Sequence, residues 1–513
     1  MRLSKQALAL AALLSPALSL MAGDSAIRVD GGLISGGASP SSDVRFYKGI
    51  PFAAPPVGDL RWREPKPVPA WPGVREATKF GNACYQTPYP KASVYYLEPE
   101  PMSEDCLYLN VWTAAKSSSE HRPVMVWIHG GALTRGSGAV PVYDGEALAK
   151  KGVVLVTINY RLGIFGFYAH PELTKDSGHN ASGNYALLDQ IAALEWVKKN
   201  ISAFGGDPNR VTIFGESAGS WSVNYLMATP LARGLFQRAI GESGGAFGVM
   251  KTLEEQEEAG KKFAAAQHAD SIAALRAKPA NELLKSSEAW SFPPNVDRWL
   301  LPEDVYTIFS KGQQNDVPLI AGLNADEAKS LVPWPASGKP ATFVEQIRAR
   351  FGDKTEEFLK LYPAGSNEEA AASHYASFRD FVFGWQMRTW VRMQAKTGKS
   401  KAYLYYFDRV SPGPDSARYG AFHASEIAYV FGNLLPPRPW QPVDRQLSDT
   451  ISSYWVNFAT TGDPNGKGLP KWPVYKESSD IALELGDNIA PLPALHKAEI
   501  DFLDAYFAKE RTH

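Results

Sequence analysis

Cysteine is nearly missing from this chain: its 513 residues hold only two, Cys84 and Cys106. That excludes a cysteine-stapled miniature fold and a four-cysteine zinc module. Net charge is missing too. Lys and Arg total 53 against 54 Asp and Glu, so no basic face is implied and nucleic acid and anionic membranes are poor partners. Charged residues make up 21% and apolar residues 44%, which excludes a mainly disordered chain. Internal repeats, heptad arrays and long linkers are absent. So is the clustered His/Cys spacing of a zinc site; neither metal nor organic cofactor is expected. Beyond the N-terminus, no stretch is long and apolar enough to span a bilayer.

The N-terminus, MRLSKQALALAALLSPALSLMAGDSA, is the exception. Arg2 and Lys5 precede an apolar run that ends near Ala22, with small residues around it. This pattern predicts a secretory signal peptide over residues 1–22, cleaved somewhere between 19 and 26. Pro16 and the short run argue against an uncleaved anchor. The expectation is therefore a secreted or periplasmic protein with a mature chain of residues 23–513, long enough for one very large domain or two or three ordinary ones. In an exported chain two cysteines invite a disulfide. Closing a loop of about 20 residues is worth about 3 kcal/mol in the chain-entropy model.

What is present is an alternation of short β-rich runs with helical patterns. Val124–Ile128, Val153–Ile158, Val211–Phe214, Leu319–Gly322 and Ala402–Phe407 read as buried strands. Leu187, Ile191, Leu194 and Ile201 recur at helical spacing beyond Asn184. The pattern predicts an α/β fold with a mostly parallel sheet. Chemistry in such a sheet sits at the carboxyl ends of the strands. The stretches 253–301 and 342–397 are rich in helix formers and read as insertions or caps on the sheet.

Two serines compete for attention. Ser217 lies in IFGESAGS and Ser243 in IGESGGAF, so both match G-x-S-x-G. The motif means something only on a sharp turn from strand to helix. Ser217 has an apolar strand before it and a helix-compatible segment after it. Ser243 runs into Gly244-Gly245, a poor helix start. Ser217 is the better nucleophile. A base and an orienting carboxylate should follow in chain order. His423 has the right setting, in a loop after Ala402–Phe407 and before the apolar run Ile427–Phe431. Asp326 and Glu327 both come just after Leu319–Gly322, and spacing does not choose between them. His129-Gly130-Gly131-Ala132 follows a strand and fits an oxyanion loop.

These residues resemble the type-B carboxylesterases, the carboxylesterase and cholinesterase branch of the α/β-hydrolases. The likeness runs from Phe46–Gly58 and Ser103–Trp112 through Asn159–Gly163, Gly183–Gln190 and Phe204–Gly219 to His423–Ile427 and Tyr454–Ala459. It implies a single α/β-hydrolase catalytic domain over 23–513, with helices on both sheet faces and helical insertions at the pocket rim. It implies a serine carboxylic-ester hydrolase with Ser217 as nucleophile, His423 as base and Glu327 as acid. The oxyanion donors fall on Gly131, Ala132 and Ala218. Glu216, Ser243 and Asp380 fall on supporting positions, Ser243 as a hydrogen-bond partner of Glu327. The first disulfide of the family falls on Cys84–Cys106, and Arg61 with Glu104 on an ion pair bracing that loop.

The departures are Ala132, Ala328 and Ala424 where the family usually has glycine, and Tyr96 where cholinesterases have tryptophan. A dedicated cholinesterase is therefore not expected. The pocket walls are expected from Tyr95, Tyr96, Trp290, Phe292, Trp299 and Trp385, which favour small to medium apolar or aromatic esters. The rival readings are a specialised lipase, amidase or detoxifying esterase of the same chemistry, and a non-catalytic binding protein. An intact Ser217, Glu327 and His423 weighs against the last.

Overall fold

The structure is a computed structural model describing residues 26–286, 292–335, 338–493 and 495–511. The expected signal segment and Trp290 lie outside the described residues.

An eleven-stranded sheet organises the chain. Its strands are β1 (Gly37–Ala38), β2 (Arg45–Pro51), β3 (Tyr108–Thr113), β4 (Arg122–Ile128), β5 (Val154–Ile158), β6 (Gly206–Glu216), β7 (Arg238–Glu242), β8 (Leu319–Asn324), β9 (Ala402–Phe407), β10 (Ile481–Leu485) and β11 (Pro491–Pro493). Their spatial order is β11-β10-β9-β8-β7-β6-β4-β5-β3-β2-β1. From β5 to β10 every neighbour is parallel. The flanking strands are antiparallel. The five strands read from the sequence all occur, each within a few residues of its expected bounds. β6 alone extends well forward, through Asp207-Pro208, with a register shift between Gly206 and Val211.

The continuous apolar runs have a simple cause. Successive side chains of a strand point to opposite faces, and both faces here are covered. Val124, Val126 and Ile128 of β4 enter one core; Met125 and Trp127 enter the other. Helix α1 (Tyr185–Asn200) sends Leu187, Ile191 and Leu194 into the first. On the opposite face, Leu447, Ile451, Trp455 and Phe458 of the helix Pro442–Thr461 fill the second. The two helix-rich stretches are helical as expected, with Leu253–Ala266 in the first and Asn367–Arg379 and Trp385–Thr397 in the second.

Two of the sequence motifs meet as a buried ion pair. Arg161 forks onto Asp189 at 2.8 and 2.7 Å. Removing one partner would strand a charge in the core at a cost of about 3–5 kcal/mol. Cys84 and Cys106 are joined as a disulfide. Arg61 Nε, from outside the loop they close, donates to Glu104 Oε1 inside it at 2.6 Å. That loop also grips its neighbour. Gln86 Nε2 donates to Gly136 O at 2.8 Å while Gly136 N donates back to Gln86 Oε1 at 2.7 Å.

The bridge closes a separation of 22 residues. Replacing both cysteines by alanine should therefore lower the free energy of unfolding by about 3 kcal/mol. Urea titration of both proteins with intrinsic fluorescence checks this; equal midpoints would refute it.

Candidate active site

Strand β6 ends at Glu216, and helix α2 (Ala218–Ala228) begins two residues later. Ser217 is the corner between them, at φ 55° and ψ −120°. A non-glycine residue there costs on the order of 1–3 kcal/mol and persists only if its surroundings fix it. They do: Ser217 N donates to Glu242 O at 2.8 Å, and Trp221 N donates to Ser217 O at 2.9 Å. The helix can start this close to the sheet because position 219 is glycine. A Cβ there would lie 2.0 Å from the Ile128 carbonyl oxygen. Ser217 is 9% exposed and lines a cavity of about 460 Å³.

Ser243 also follows a strand and also has positive φ, 53°. No helix follows it, and it is fully buried. Its hydroxyl makes no hydrogen bond among the described residues. The bond to Glu327 that the resemblance implies is not made.

Glu327 begins a short helix just past β8. Its Oε1 accepts from Asn324 N at 2.7 Å, and its Oε2 meets His423 Nδ1 at 2.6 Å. A carboxylate can only accept, so Nδ1 carries the proton and Nε2 is left as an acceptor. The Phe383 ring packs 4.9 Å from the imidazole. The neighbouring Asp326 holds a different segment. Its carboxylate accepts from Ala421 N at 2.9 Å and its N–H donates to Ala421 O at 3.0 Å. The pair of acids thus divides into one that pins the histidine loop and one that meets the histidine.

The chain before the cavity turns sharply. Gly131 sits at φ 104°, where a Cβ would lie 2.2 Å from Arg135 O. Ala132 and Leu133 follow at φ 55° and 59°. The amides of Gly131, Ala132 and Ala218 donate to no described group. Ala132 is exposed and lines the cavity. Ala424, another alanine where glycine is usual, is also left-handed at φ 70°; Ala328 lies in the helix that Glu327 begins. Behind the loop, the ring of His129 stacks on Tyr160 at 4.4 Å, and Tyr160 OH donates to His129 O at 2.6 Å.

The walls differ from expectation. Tyr95 and Tyr96 line the cavity, and Tyr95 OH donates to His423 O at 2.9 Å. Phe292, Trp299 and Trp385 do not line it. Phe292 packs between Tyr168 and Phe263, Trp299 stacks on His179, and Trp385 stacks on Phe507. Phe292 and Trp385 are buried in the core, whereas Trp299 is half-buried and lines a separate cleft beside Trp62 and Arg63. Tyr89, Tyr143, Phe422 and Trp440 line the cavity in their place. Asp380 is turned away as well. Arg379 forks onto it at 2.8 and 3.1 Å and Tyr362 OH donates to it at 3.0 Å. A guanidinium next door satisfies the carboxylate, and no bond links it to Glu327.

Sequence reasoning named Glu216 and Glu327 but missed Glu242 and Glu426, which gather with them behind the site. Glu216 Oε1 lies 3.1 Å from His423 Nε2 without a hydrogen bond between them. Burial, then the nearby Glu327 and Glu242, push the Glu216 carboxyl well above its ordinary range. Burial also raises Glu426, whose neighbours include Glu216, Glu242 and Glu327. Glu242 is pushed up to about 8 by burial, although Trp455 Nε1 donates to it at 2.8 Å. The one signal in the sequence is a glutamate inside each of GES, GES and HASE. In the folded state Glu242 keeps a proton that the unfolded chain loses near pH 4.5. Its contribution is thus complete below that pH and lost as pH rises through about 8. Urea unfolding at pH 5, 6.5 and 8 should show the wild type losing stability relative to Glu242→Gln, by up to about 1.4 kcal/mol per pH unit. Parallel pH profiles would refute it.

Residues 23–502 match the model of the carboxylesterase family. The chain is 38% identical to the fumonisin B1 esterase of Sphingopyxis macrogoltabida, over 86% of this chain and 83% of that protein. It is 37% identical to the para-nitrobenzyl esterase of Bacillus subtilis (strain 168), over 87% and 92%. It is 36% identical to the liver carboxylesterase of Sus scrofa, over 91% and 89%. A solved PNB esterase superposes with a TM-score of 0.80 at 34% identity, covering 93% of this chain and 98% of that one. The sheet and its two helical layers are thus an α/β-hydrolase fold, and the chain belongs to the carboxylesterase family of carboxylic ester hydrolases.

Proposed function

We propose that the protein is an exported serine esterase, a single catalytic domain once its leader is removed, in which Ser217, His423 and Glu327 form the catalytic triad. The observation that carries this is the convergence on one cavity of a strained serine, a histidine whose Nδ1 is 2.6 Å from a carboxylate and three unengaged amides. His423 Nε2 takes the proton of Ser217 as its oxygen attacks the ester carbonyl. Glu327 holds the imidazole in the tautomer this requires and stabilises the imidazolium. The amides of Gly131, Ala132 and Ala218 receive the oxyanion. His423 returns the proton to the departing alcohol, and water repeats the sequence on the acyl-enzyme. Nucleophile, base and oxyanion donors all come from the chain, so the reaction asks for no cofactor. Glu216 and the other buried carboxyls, with the buried Ser243 hydroxyl, shape the floor behind the triad. The aromatic walls favour small to medium apolar or aromatic esters. Export is supported by the leader pattern of residues 1–22 and by the Cys84–Cys106 bridge.

Ser217→Ala should abolish the burst and the turnover of p-nitrophenyl butyrate, a loss on the order of 10⁴-fold or more. Ser243→Ala should only weaken turnover. A dead Ser243 variant beside an active Ser217 variant would reverse the assignment.

Ala132 supplies a second test. Its methyl belongs to an exposed residue in the cavity wall, next to the carbonyl under attack in this reading. Ala132→Gly should raise kcat/KM for a tertiary-alcohol ester relative to its primary-alcohol match by roughly tenfold to a hundredfold. An unchanged ratio would make Ala132 a packing residue only.

A further inference from the structure

Charge is scarce in the cavity over Ser217. Among the described residues, its ionisable side chains other than tyrosines are Glu216, His423 and Arg438. Two of these belong to the floor around Ser217, so Arg438 is the one fixed cation on the walls. It projects from the loop that follows the helix Ile427–Phe431, and its side chain is 22% exposed. The guanidinium lies over the Phe422 ring, 5.4 Å from the centroid. Phe422, which immediately precedes His423 in the chain, and Arg438 line the same cavity as the candidate base.

Its ties to the protein are loose. Nη1 donates to Pro412 O at 3.2 Å, and Nη1 and Nη2 reach Asp415 at 3.4 Å each. A well-formed guanidinium–carboxylate fork closes to about 2.7–2.9 Å, as Arg161 and Asp189 do here at 2.7 and 2.8 Å. A guanidinium has five N–H donors. The Arg438 Nε–H and one Nη2–H have no partner among the described residues. Such an arrangement holds the group in place and leaves it donors for a stronger acceptor. The mouth around it is apolar: Leu97, Leu331 and Leu435 line the cavity and are 48%, 38% and 40% exposed. Burial of Glu216 disfavours its charged form, which spares an incoming anion one source of repulsion.

We propose that Arg438 reads a free carboxylate on the substrate, so that the preferred substrates are acidic esters with an apolar body. These are half-esters of dicarboxylic acids or esters of carboxylated alcohols. The carboxylate forks onto Arg438, the chain lies across the leucines and aromatic rings, and the ester carbonyl reaches Ser217. The proposal rests on the serine-esterase reading and adds the substrate class to it.

The test uses matched pairs that differ only by a carboxylate in place of a methyl. Monoethyl adipate is compared with ethyl hexanoate, which puts the charge on the acyl side. 5-Carboxypentyl acetate is compared with hexyl acetate, which puts it on the alcohol side. In at least one pair the wild type should favour the acidic ester in kcat/KM by about tenfold or more, the scale of one charge-assisted hydrogen bond. Arg438→Gln should erase that ratio, and added salt should shrink it in the wild type. Asp415→Asn, which removes the competing carboxylate, should raise it. A ratio near one in both pairs for the wild type overturns the proposal. So does a ratio unmoved by both substitutions, which would make Arg438 a pin for its own loop. Failure of the esterase reading looks different: no ester of either pair is hydrolysed, or hydrolysis survives Ser217→Ala.

Discussion

The 2.6 Å contact between His423 Nδ1 and Glu327 Oε2 is the constraint around which the rest is arranged. Both groups are buried, and a buried polar pair must be held in geometry or it costs more than it contributes. The chain meets that demand from several directions. Asn324 N fixes the other oxygen of Glu327. Asp326 ties the histidine loop by two bonds to Ala421. Tyr95 binds the carbonyl of His423, and Phe383 covers the ring. The parallel sheet makes this possible, because β6, β8 and β9 deliver their following loops to one edge.

A second demand follows from the first. Packing Glu216, Glu242, Glu327 and Glu426 into one region works only if several of them forgo their charge, and burial pushes three of them that way. The floor of the site is therefore rich in oxygen yet poor in charge. That leaves the imidazole's electrostatics dominated by the carboxylate it touches. The alanines at 132 and 424 show a related constraint. Both hold backbone angles that glycine adopts freely, so the loops around them are over-determined by their neighbours rather than by their own preferences.

Much of this is legible in the sequence, for physical reasons. A run as short, apolar and β-branched as Val124–Ile128, stopped by Gly130-Gly131, reads as a strand covered on both faces. Ser217 stands out because a strand runs in and a helix runs out, and His423 because a loop separates two apolar runs. Other features are not legible. Aromatic composition does not say whether a ring faces a cavity or the core, so sequence reasoning places Phe292, Trp299 and Trp385 in walls they do not form. Asp380 is claimed by the arginine beside it, and Ser243 keeps the strained backbone but not the bond to Glu327. Choosing between Asp326 and Glu327 needs the family likeness, and the structure gives each a distinct partner. The gathering of glutamates and the position of Arg438 depend on distant segments meeting, which no local pattern encodes.

The clasp between Gln86 and Gly136 joins two segments that lie 50 residues apart in the chain. Gln86 lies inside the loop that Cys84 and Cys106 close, and Gly136 closes the turn that carries Gly131 and Ala132. One covalent bond between distant segments thus braces, at one remove, a turn that lines the cavity. The wall of the cavity leans on a cross-link that takes no part in lining it.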